Sequence, residues 1–212
     1  MSTVSIGDDP AAARAALEDC VREGGIAVFP ADTLYGLACD PQNSAAIERI
    51  YTLKGRDNRK PAAVMFFAPL AMRELLSTLG PRTREALGAL LPGPVTPVVE
   101  NPERRYPLAC REHPERLGIR LIEGPLAGVR CAIFQTSANL SGAAAPSRLE
   151  DVDPRISRGV DLALDGGEVG GAPSTVVDLT RLDAEGSWRL LREGAMSEER
   201  IRGKLAAGDD LG

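Results

Sequence analysis

Histidine, paired cysteines and long apolar runs are scarce in this sequence of 212 residues. It contains one histidine, His113, and four cysteines with no Cys-x-x-Cys spacing. A zinc site or a disulfide framework needs several such residues at short intervals, so neither is expected, and reduced thiols in a cytoplasm are the simplest interpretation. The longest apolar stretches, such as 62–67 and 131–134, are too short to span a bilayer, and residues 1–12 do not resemble a secretion signal.

Aromatic residues and lysine are also rare. Aromatics make up 4% of the chain and the net charge is −5, which leaves few stacking platforms and no broad basic face for nucleic acid. Of the 25 basic residues only Lys54, Lys60 and Lys204 are lysine. Two of them lie in the segment 54–60 with Arg56. Because an ammonium and a guanidinium are not interchangeable at a phosphate, this segment is the first candidate for chemistry, although an exposed helix end carrying charge is the alternative.

Helix and strand signals alternate along the chain and predict one α/β domain over 9–206, with flexible termini over 1–8 and 207–212. Asp9-Pro10 is typical of a helix start, and Asn43 or Ser44 can cap a second helix that ends near Lys54. Helices are predicted over 10–22, 44–54, 72–77, 83–91 and 197–205, and strands over 26–30, 62–67, 95–99, 117–121, 132–136, 161–164, 175–179 and 188–191. We expect a twisted, mixed or mostly antiparallel sheet flanked by helices.

Four polar, turn-forming segments stand at the ends of predicted strands, where ligand sites of α/β sheets collect. They cover 30–36, 54–60, 135–142 and 166–175. Each alone could equally be a structural turn. The glycine-rich segment is not a Walker loop, because Ala172 stands where that motif needs lysine. No Ser–His–Asp or Cys–His arrangement is convincing, so the inventory favours positioning of an anionic substrate over covalent catalysis.

Taken together, six segments resemble the YrdC-like family of threonylcarbamoyl-adenylate synthases. The segments are PADTLYGL at 30–37, KGR at 54–56 with Lys60-Pro61, LPGPVT at 91–96, TSANLSG at 136–142, PSTVVD at 173–178 and LREG at 191–194. They occur in the order of the family and span nearly the whole chain. The resemblance therefore implies the fold of this family, with a concave basic cleft.

The resemblance also implies the ligands, which are ATP, used with Mg²⁺, and L-threonine together with bicarbonate. The catalytic residues would be Lys54 and Arg56. The residues facing ATP would be Lys54, Arg56, Lys60, Asn139, Ser147 and Arg192. The residues holding threonine would be Thr33, Arg120, Ser137 and Ser174. No metal ligands are identified in the chain itself.

The implied reaction needs no nucleophilic side chain. The threonine amine captures CO₂ or bicarbonate, and the resulting carbamate displaces pyrophosphate from the α-phosphorus of ATP. The product, threonylcarbamoyl-AMP, would pass to downstream threonylcarbamoyl transferase proteins for threonylcarbamoyladenosine modification of tRNA. Such a reaction requires alignment of the substrates and neutralisation of their negative charges. A weak affinity for RNA and no membrane contact complete the expected partners.

The sequence departs from the family pattern at three places. Arg120 is followed by Leu-Ile-Glu where a proline is common, Pro97 interrupts a predicted strand, and Ala31 replaces a common threonine. Two alternatives therefore stay open. One is an RNA-binding module of the same fold, and the other is a paralogue that acts on a different carbamoyl or acyl-adenylate substrate. The zinc-finger cysteines of the larger carbamoyl-transfer proteins are absent from this sequence.

Overall fold

Helix α1 (Pro10–Arg22) begins where the sequence predicts. The carboxylate of Asp9 accepts hydrogen bonds of 3.0 and 2.9 Å from two backbone N–H groups of the first turn. Pro10 fits at the first helical position because its missing N–H would have no partner there. One face of the helix, including Leu17, is buried against the sheet.

Helix α2 (Ser44–Lys54) places the lysine-containing segment. Asn43 caps it by accepting a hydrogen bond of 3.0 Å from the backbone N–H of Ala46. The helix ends at Gly55, whose φ of 57° lies in the left-handed region that favours glycine. The chain then turns, so Lys54 stays on the buried side of the last turn while Arg56 leaves the helix. The predicted cap and the predicted helix end are confirmed.

The computed structural model describes residues 2–209, whose strands form one sheet of ten. The strands are β1 (Ser2–Ser5), β2 (Ala27–Pro30), β3 (Tyr35–Cys39), β4 (Ala63–Phe66), β5 (Val95–Glu100), β6 (Arg116–Leu121), β7 (Ile133–Ser137), β8 (Leu162–Asp165), β9 (Thr175–Asp178) and β10 (Arg189–Arg192). Their order across the sheet is β1-β8-β2-β3-β7-β4-β6-β5-β9-β10. Four neighbouring pairs are parallel and five are antiparallel, so the predicted mixed sheet is confirmed.

Shorter elements complete the chain. The remaining helices are α3 (Arg73–Leu76), α4 (Pro81–Leu90), α5 (Pro107–Cys110), α6 (Pro154–Ser157), α7 (Leu182–Glu185) and α8 (Glu198–Asp209), and 3₁₀ turns occur at Pro69–Met72 and Leu149–Asp151. Three of the four four-residue helices, α5, α6 and α7, were not predicted, because a single turn carries no apolar periodicity. Pro97 lies inside β5, where pairing with β9 continues and pairing with β6 begins at Val98, so it does not interrupt the strand.

Strand β3 corrects the prediction of a polar loop over 30–36. The loop ends at Leu34, and the next five residues form a fully buried strand between β2 and β7. Gly36 is required there, because a Cβ on it would lie 2.9 Å from Gln135 Nε2 and 3.1 Å from the carbonyl oxygen of Thr136. A glycine demanded by close packing of strands gives the same local signal as a glycine in a turn.

Parts of both predicted flexible termini, 1–8 and 207–212, belong to regular elements. Residues 2–5 form β1, which pairs in parallel with β8 at one edge of the sheet. Helix α8 continues past 205 to Asp209, so only 1 and 210–212 lie outside the described residues. A four-residue edge strand without a turn signal is hard to predict, since its pairing partner is about 160 residues away in the sequence.

The two faces of the sheet are covered differently. Side chains alternate along each strand, so Val64 points to one face and Met65 to the other. The first face packs against α2 and α4 in the larger core, and the second packs against α1 in the smaller one. The second face is covered only in part. Ala63, two residues before Met65 on the same face, lines a cavity instead of a core.

Within residues 2–209, no helix is both long enough and apolar enough to cross a membrane. The four cysteines are free thiols, and two of them, Cys39 and Cys110, are buried. His113 is exposed in a loop at the rim of the cavity described below, and its Nδ1 lies 3.4 Å from Glu115 Oε1.

Candidate active site

A cavity of about 730 Å³ opens over the uncovered part of the sheet. Its floor is formed by residues from five adjacent strands, which are Ala63, Thr96, Val98, Gly118, Gln135 and Val176. The walls come from the segments that follow β2, α2 and β7 and from the glycine-rich segment before β9. All four polar segments singled out in the sequence thus contribute to one cavity, whose volume is typical of a small-molecule site.

Seven of the ten predicted site residues line this cavity. They are Thr33, Arg56, Arg120, Ser137, Asn139, Ser174 and Arg192. The other three, Lys54, Lys60 and Ser147, are placed outside the lining.

Lys54 lies beneath the cavity wall and is 2% exposed. Its Nζ donates to the carbonyl oxygens of Ser137 and Asn139, the latter at 2.6 Å, and lies 3.4 Å from Asn139 Oδ1. The hydroxyl of Ser137 also donates to Asn139 Oδ1. Burial, together with the nearby charge of Arg56, lowers the pKa of Lys54 to about 7. The lysine therefore holds the 137–139 turn from below and directs two lining side chains.

Lys60 and Ser147 serve the surroundings of the cavity through their backbones. The carbonyl oxygen of Lys60 accepts a hydrogen bond of 2.5 Å from the Tyr51 hydroxyl, while its side chain is exposed. The carbonyl oxygen of Ser147 accepts a hydrogen bond of 2.9 Å from the backbone N–H of Val169, in the glycine-rich segment. Neither side chain reaches the cavity in this structure.

Arg120 is the most deeply buried arginine of the cavity. Its guanidinium donates to Asp32 and lies 3.4 Å from Thr33 Oγ1. Burial lowers the pKa of Arg120 although Asp32 opposes this effect, and burial raises the pKa of Asp32 although Arg120 opposes that one. For both groups desolvation opposes the charged form, so the carboxylate and the guanidinium depend on each other for compensation.

Arg56 and Arg192 face the cavity without a carboxylate partner among residues 2–209. Arg56 donates to the carbonyl oxygen of Pro61 at 2.8 Å, and Arg192 donates to the carbonyl oxygen of Ser174 at 2.7 Å. Burial, followed by the charges of Arg120 and Arg56, lowers the pKa of Arg192. The three arginines therefore concentrate positive charge in one place.

Sequence reasoning missed several residues that shape the site. Asp32 lies inside a segment already singled out, and its carboxylate orients Arg120. Thr96 ends another such segment, and its Oγ1 is 2.8 Å from Ser174 Oγ. Arg116 lines the cavity and donates to Asp178 at 2.7 Å. Motif membership could have indicated Asp32 and Thr96, whereas no local pattern distinguishes Arg116 from the other arginines of its neighbourhood.

Arginine side chains are the clearest chemical feature of the cavity lining. In the described part of the chain, every buried side-chain nitrogen or oxygen without a hydrogen-bond partner belongs to an arginine. Three of these four arginines line the cavity, and in each of them, Arg56, Arg116 and Arg120, the unpaired atom is Nε. These Nε atoms are themselves shielded from the cavity. The lining nevertheless contains four arginines, Arg56, Arg116, Arg120 and Arg192, and no carboxylate among the residues that the structure describes, which favours an anionic ligand.

The chain was also compared with known families and proteins. A model of the Sua5, YciO and YrdC proteins, described as Telomere recombination, matches residues 19–194. The threonylcarbamoyl-AMP synthase of Mus musculus is 35% identical over 208 residues, which cover 88% of this chain and 68% of that protein. The threonylcarbamoyl-AMP synthase of Methylobacillus flagellatus is 33% identical over 171 residues, or 77% of this chain and 93% of that protein.

Solved structures share the fold. A crystal structure of P. abyssi Sua5 complexed with L-threonine superposes with a TM-score of 0.81 at 27% identity, over 95% of this chain. This chain spans 59% of that longer protein. A crystal structure of E. coli YciO gives a TM-score of 0.76 at 25% identity, over 91% of this chain and 94% of its own. Since the family model covers residues 19–194 and the fold agrees, the chain belongs to the Sua5/YciO/YrdC family.

Proposed function

We propose that this chain is a threonylcarbamoyl-AMP synthase, which condenses L-threonine, bicarbonate and ATP and releases pyrophosphate. Its relatives in Mus musculus and Methylobacillus flagellatus carry that name, and P. abyssi Sua5 has been crystallised with L-threonine. The observation that carries the proposal is a single cavity that, within residues 2–209, is lined by four arginines and by no carboxylate.

Those arginines match the substrates chemically. Several guanidinium groups in one cavity favour a ligand rich in acceptor oxygens. Phosphates and carboxylates provide such oxygens in the planar arrangement that a guanidinium binds best. A nucleoside triphosphate supplies phosphates, and an amino acid supplies a carboxylate.

We assign the two ends of the cavity to the two substrates. The end formed by Arg56, Asn139 and Arg192 would hold the nucleotide phosphates. The end formed by Arg120 and Thr33 would hold the amino acid, with the threonine carboxylate on the Arg120 guanidinium. Ser137 and Ser174 would contact threonine, and Lys54 would position the 137–139 turn instead of touching a phosphate. We assign no direct ligand contact to the side chains of Lys60 and Ser147.

The chemistry then follows from the substrates themselves. The threonine amine attacks the carbon of bicarbonate or CO₂, and from bicarbonate the carbamate forms with loss of water. A carbamate oxygen bonds to the α-phosphorus of ATP while the bond to pyrophosphate breaks. The arginines would align these anions and neutralise the charge that develops on the leaving group. No side chain of this protein forms a covalent intermediate.

Mg²⁺ would enter with ATP. Among the described residues the cavity lining contains no Asp or Glu side chain, and no cluster of three metal-binding side chains occurs elsewhere in residues 2–209. The lining therefore does not fit a protein-held metal. Phosphate oxygens and water would be the ligands of a magnesium ion that arrives on the nucleotide.

We further propose that the product passes to a downstream transferase that makes threonylcarbamoyladenosine in tRNA. This use requires the chain to work in the cytoplasm, where tRNA is modified. Four free thiols are compatible with such a reducing compartment.

A pyrophosphate-release assay tests the proposal. The purified chain is incubated with ATP, Mg²⁺, bicarbonate and threonine, and each component is omitted in turn. We expect pyrophosphate only in the complete mixture, and threonylcarbamoyl-AMP detectable by mass spectrometry. Pyrophosphate that forms equally without threonine would indicate a different acceptor, and none in the complete mixture would contradict the proposal.

A further inference from the structure

Gly118 lies in the middle of β6, on the cavity floor, and nothing in the fold requires a glycine there. Its φ is not positive, unlike that of the turn glycines. A Cβ on Gly118 would lie 3.6 Å from Thr96 Cγ2 and 3.8 Å from Ala63 Cα, which are ordinary van der Waals distances. Alanine would therefore fit without displacing any neighbour.

Gly36 shows the opposite situation in the same sheet. A Cβ there would come within 2.9 Å of the Gln135 side chain and 3.1 Å of a backbone carbonyl oxygen, so a side chain would force these neighbours to shift. At Gly118 no such exclusion acts, although glycine inside a strand is less stable than alanine. A glycine that costs stability and is not needed for packing marks a place where a ligand approaches the backbone closely.

The surroundings of Gly118 indicate which part of a ligand would lie there. Ala63, Val98 and Val176 give the floor small apolar side chains. Thr96 uses its hydroxyl on Ser174, so its methyl group faces the position above Gly118. The hollow is thus apolar at its base and is bordered by polar groups.

Arg120 provides the anchor for such a ligand. It lies two residues after Gly118 on the same face of β6, about 7 Å along the strand. An amino acid whose carboxylate binds the Arg120 guanidinium would lie beside this hollow. A side chain of the size of threonine would fill it, with the hydroxyl directed to the polar border and the methyl group to the base.

We propose that Gly118 is a specificity-determining residue, which leaves room for the methyl group of a small β-hydroxy amino acid and so selects threonine over serine. The inference rests on the proposed function and names the position that limits the size of the amino-acid side chain. The inference predicts how strongly the chain prefers threonine to serine, and not whether it catalyses the reaction.

The variant Gly118→Ala tests this inference, with kcat/KM measured for threonine and for serine. Because the added methyl group occupies the space of the substrate methyl, we expect the threonine-to-serine ratio to fall about tenfold or more. The KM for ATP should not change, and the thermal midpoint should be equal or higher. Gly88→Ala is the matched control, since Gly88 is an exposed helical glycine with nothing within 4 Å of its Cβ position. It should leave the ratio unchanged.

A second variant separates lost space from general damage. Gly118→Ala combined with Ala63→Gly returns one methyl volume to the same floor, one strand away. We expect this double variant to recover part of the threonine-to-serine ratio. If the role of Gly118 were purely structural, the double variant would instead be less stable than either single variant and would not recover the threonine-to-serine ratio.

An unchanged ratio in Gly118→Ala, while the unaltered chain uses threonine, would overturn the inference alone. A raised KM for ATP with an unchanged ratio would overturn it as well. If the unaltered chain forms no pyrophosphate, the proposed function fails, and calorimetry with threonine and serine then decides the present inference. Tighter binding of threonine than of serine by the unaltered chain, lost in Gly118→Ala, would support the inference. Any other result would overturn it.

Discussion

Lys54 and Arg120 are two buried cations beside the same cavity, each 2% exposed, and they are held in different ways. The ammonium of Lys54 contacts two carbonyl oxygens and an amide oxygen, all of them neutral. The guanidinium of Arg120 contacts the carboxylate of Asp32. Among residues 2–209, Lys54 forms no ion pair.

The difference separates a structural cation from a permanent charge. With its pKa lowered to about 7, Lys54 can lose its proton near neutral pH and still occupy its place under the 137–139 turn. An arginine remains charged at any physiological pH, and Asp32 orients it without removing it from the cavity. We conclude that Lys54 shapes the site whereas Arg120 supplies charge to it.

The largest effect is expected from Asp32→Asn, which leaves Arg120 charged and buried without its partner. Removal of one member of a buried pair costs about 3–5 kcal/mol, so the free energy of unfolding should fall by that order in urea denaturation at pH 7. The double variant Asp32→Asn with Arg120→Met should recover much of the loss. Full stability of Asp32→Asn would mean that the carboxylate does not hold Arg120.

Arg56→Ala tests a third cation, one that faces the cavity and forms no carboxylate pair. Loss of one donor to the transition state costs about 3 kcal/mol of activation free energy, so kcat/KM for pyrophosphate release should fall about 100- to 1,000-fold. The thermal midpoint should change little. Arg59→Ala, three residues along on the exposed surface, is the control and should retain normal turnover. Comparable losses of kcat/KM in both variants would show that the whole segment 54–60 contributes, and not Arg56 in particular.

Lys54→Met sharpens the comparison through pH. Between about pH 7 and 10.5 the native lysine is neutral while the unfolded one is protonated, so the unfolded state binds more protons and stability rises with pH. The unaltered chain should gain up to about 1.4 kcal/mol per pH unit relative to Lys54→Met in this range. Denaturation of both proteins from pH 7.5 to 10 measures the difference, and the cysteines cancel because both proteins contain them. Parallel curves would mean that Lys54 keeps its proton in the folded state.

Arg49→Ala is expected to have the smallest effect and gives the exposed reference. Arg49 pairs with Asp161 at 2.8 Å with both side chains nearly half exposed. Such surface pairs contribute about 1 kcal/mol or less, and about 1 M salt should remove most of the difference from the unaltered chain. The loss in Asp32→Asn should persist in the same salt. A salt-insensitive Arg49→Ala would place its effect in the hydrogen bond to Gly159 instead.

Local sequence signals predicted much of the scaffold. The carboxylate of Asp9 and the cap at Asn43 set helix starts by interactions within a few residues, and both are confirmed. The two strands that the sequence did not predict, β1 and β3, are strands whose formation depends on distant pairing partners. Strand β3 owes its place to β7, about a hundred residues later in the chain, and its sequence also suits a turn.

The candidate site shows the same division. Seven of the ten residues that the motifs singled out line one cavity, because each polar segment follows an element whose position the sheet determines. The motifs did not indicate that the side chain of Lys54 points into the protein whereas that of Arg56 points to the cavity. The directions of two side chains at one helix end are defined only when the helix packs against its neighbours. The role of Asp32 was missed because its partner, Arg120, is 88 residues away.

The sequence by itself determined which chemical groups are available and where most helices begin and end, because these depend on neighbours in the chain. The tertiary structure alone decided which cations are buried, which arginines line the cavity and how much space surrounds Gly118. Those properties depend on desolvation and on distances between residues that are far apart in the sequence, and only a packed sheet fixes them.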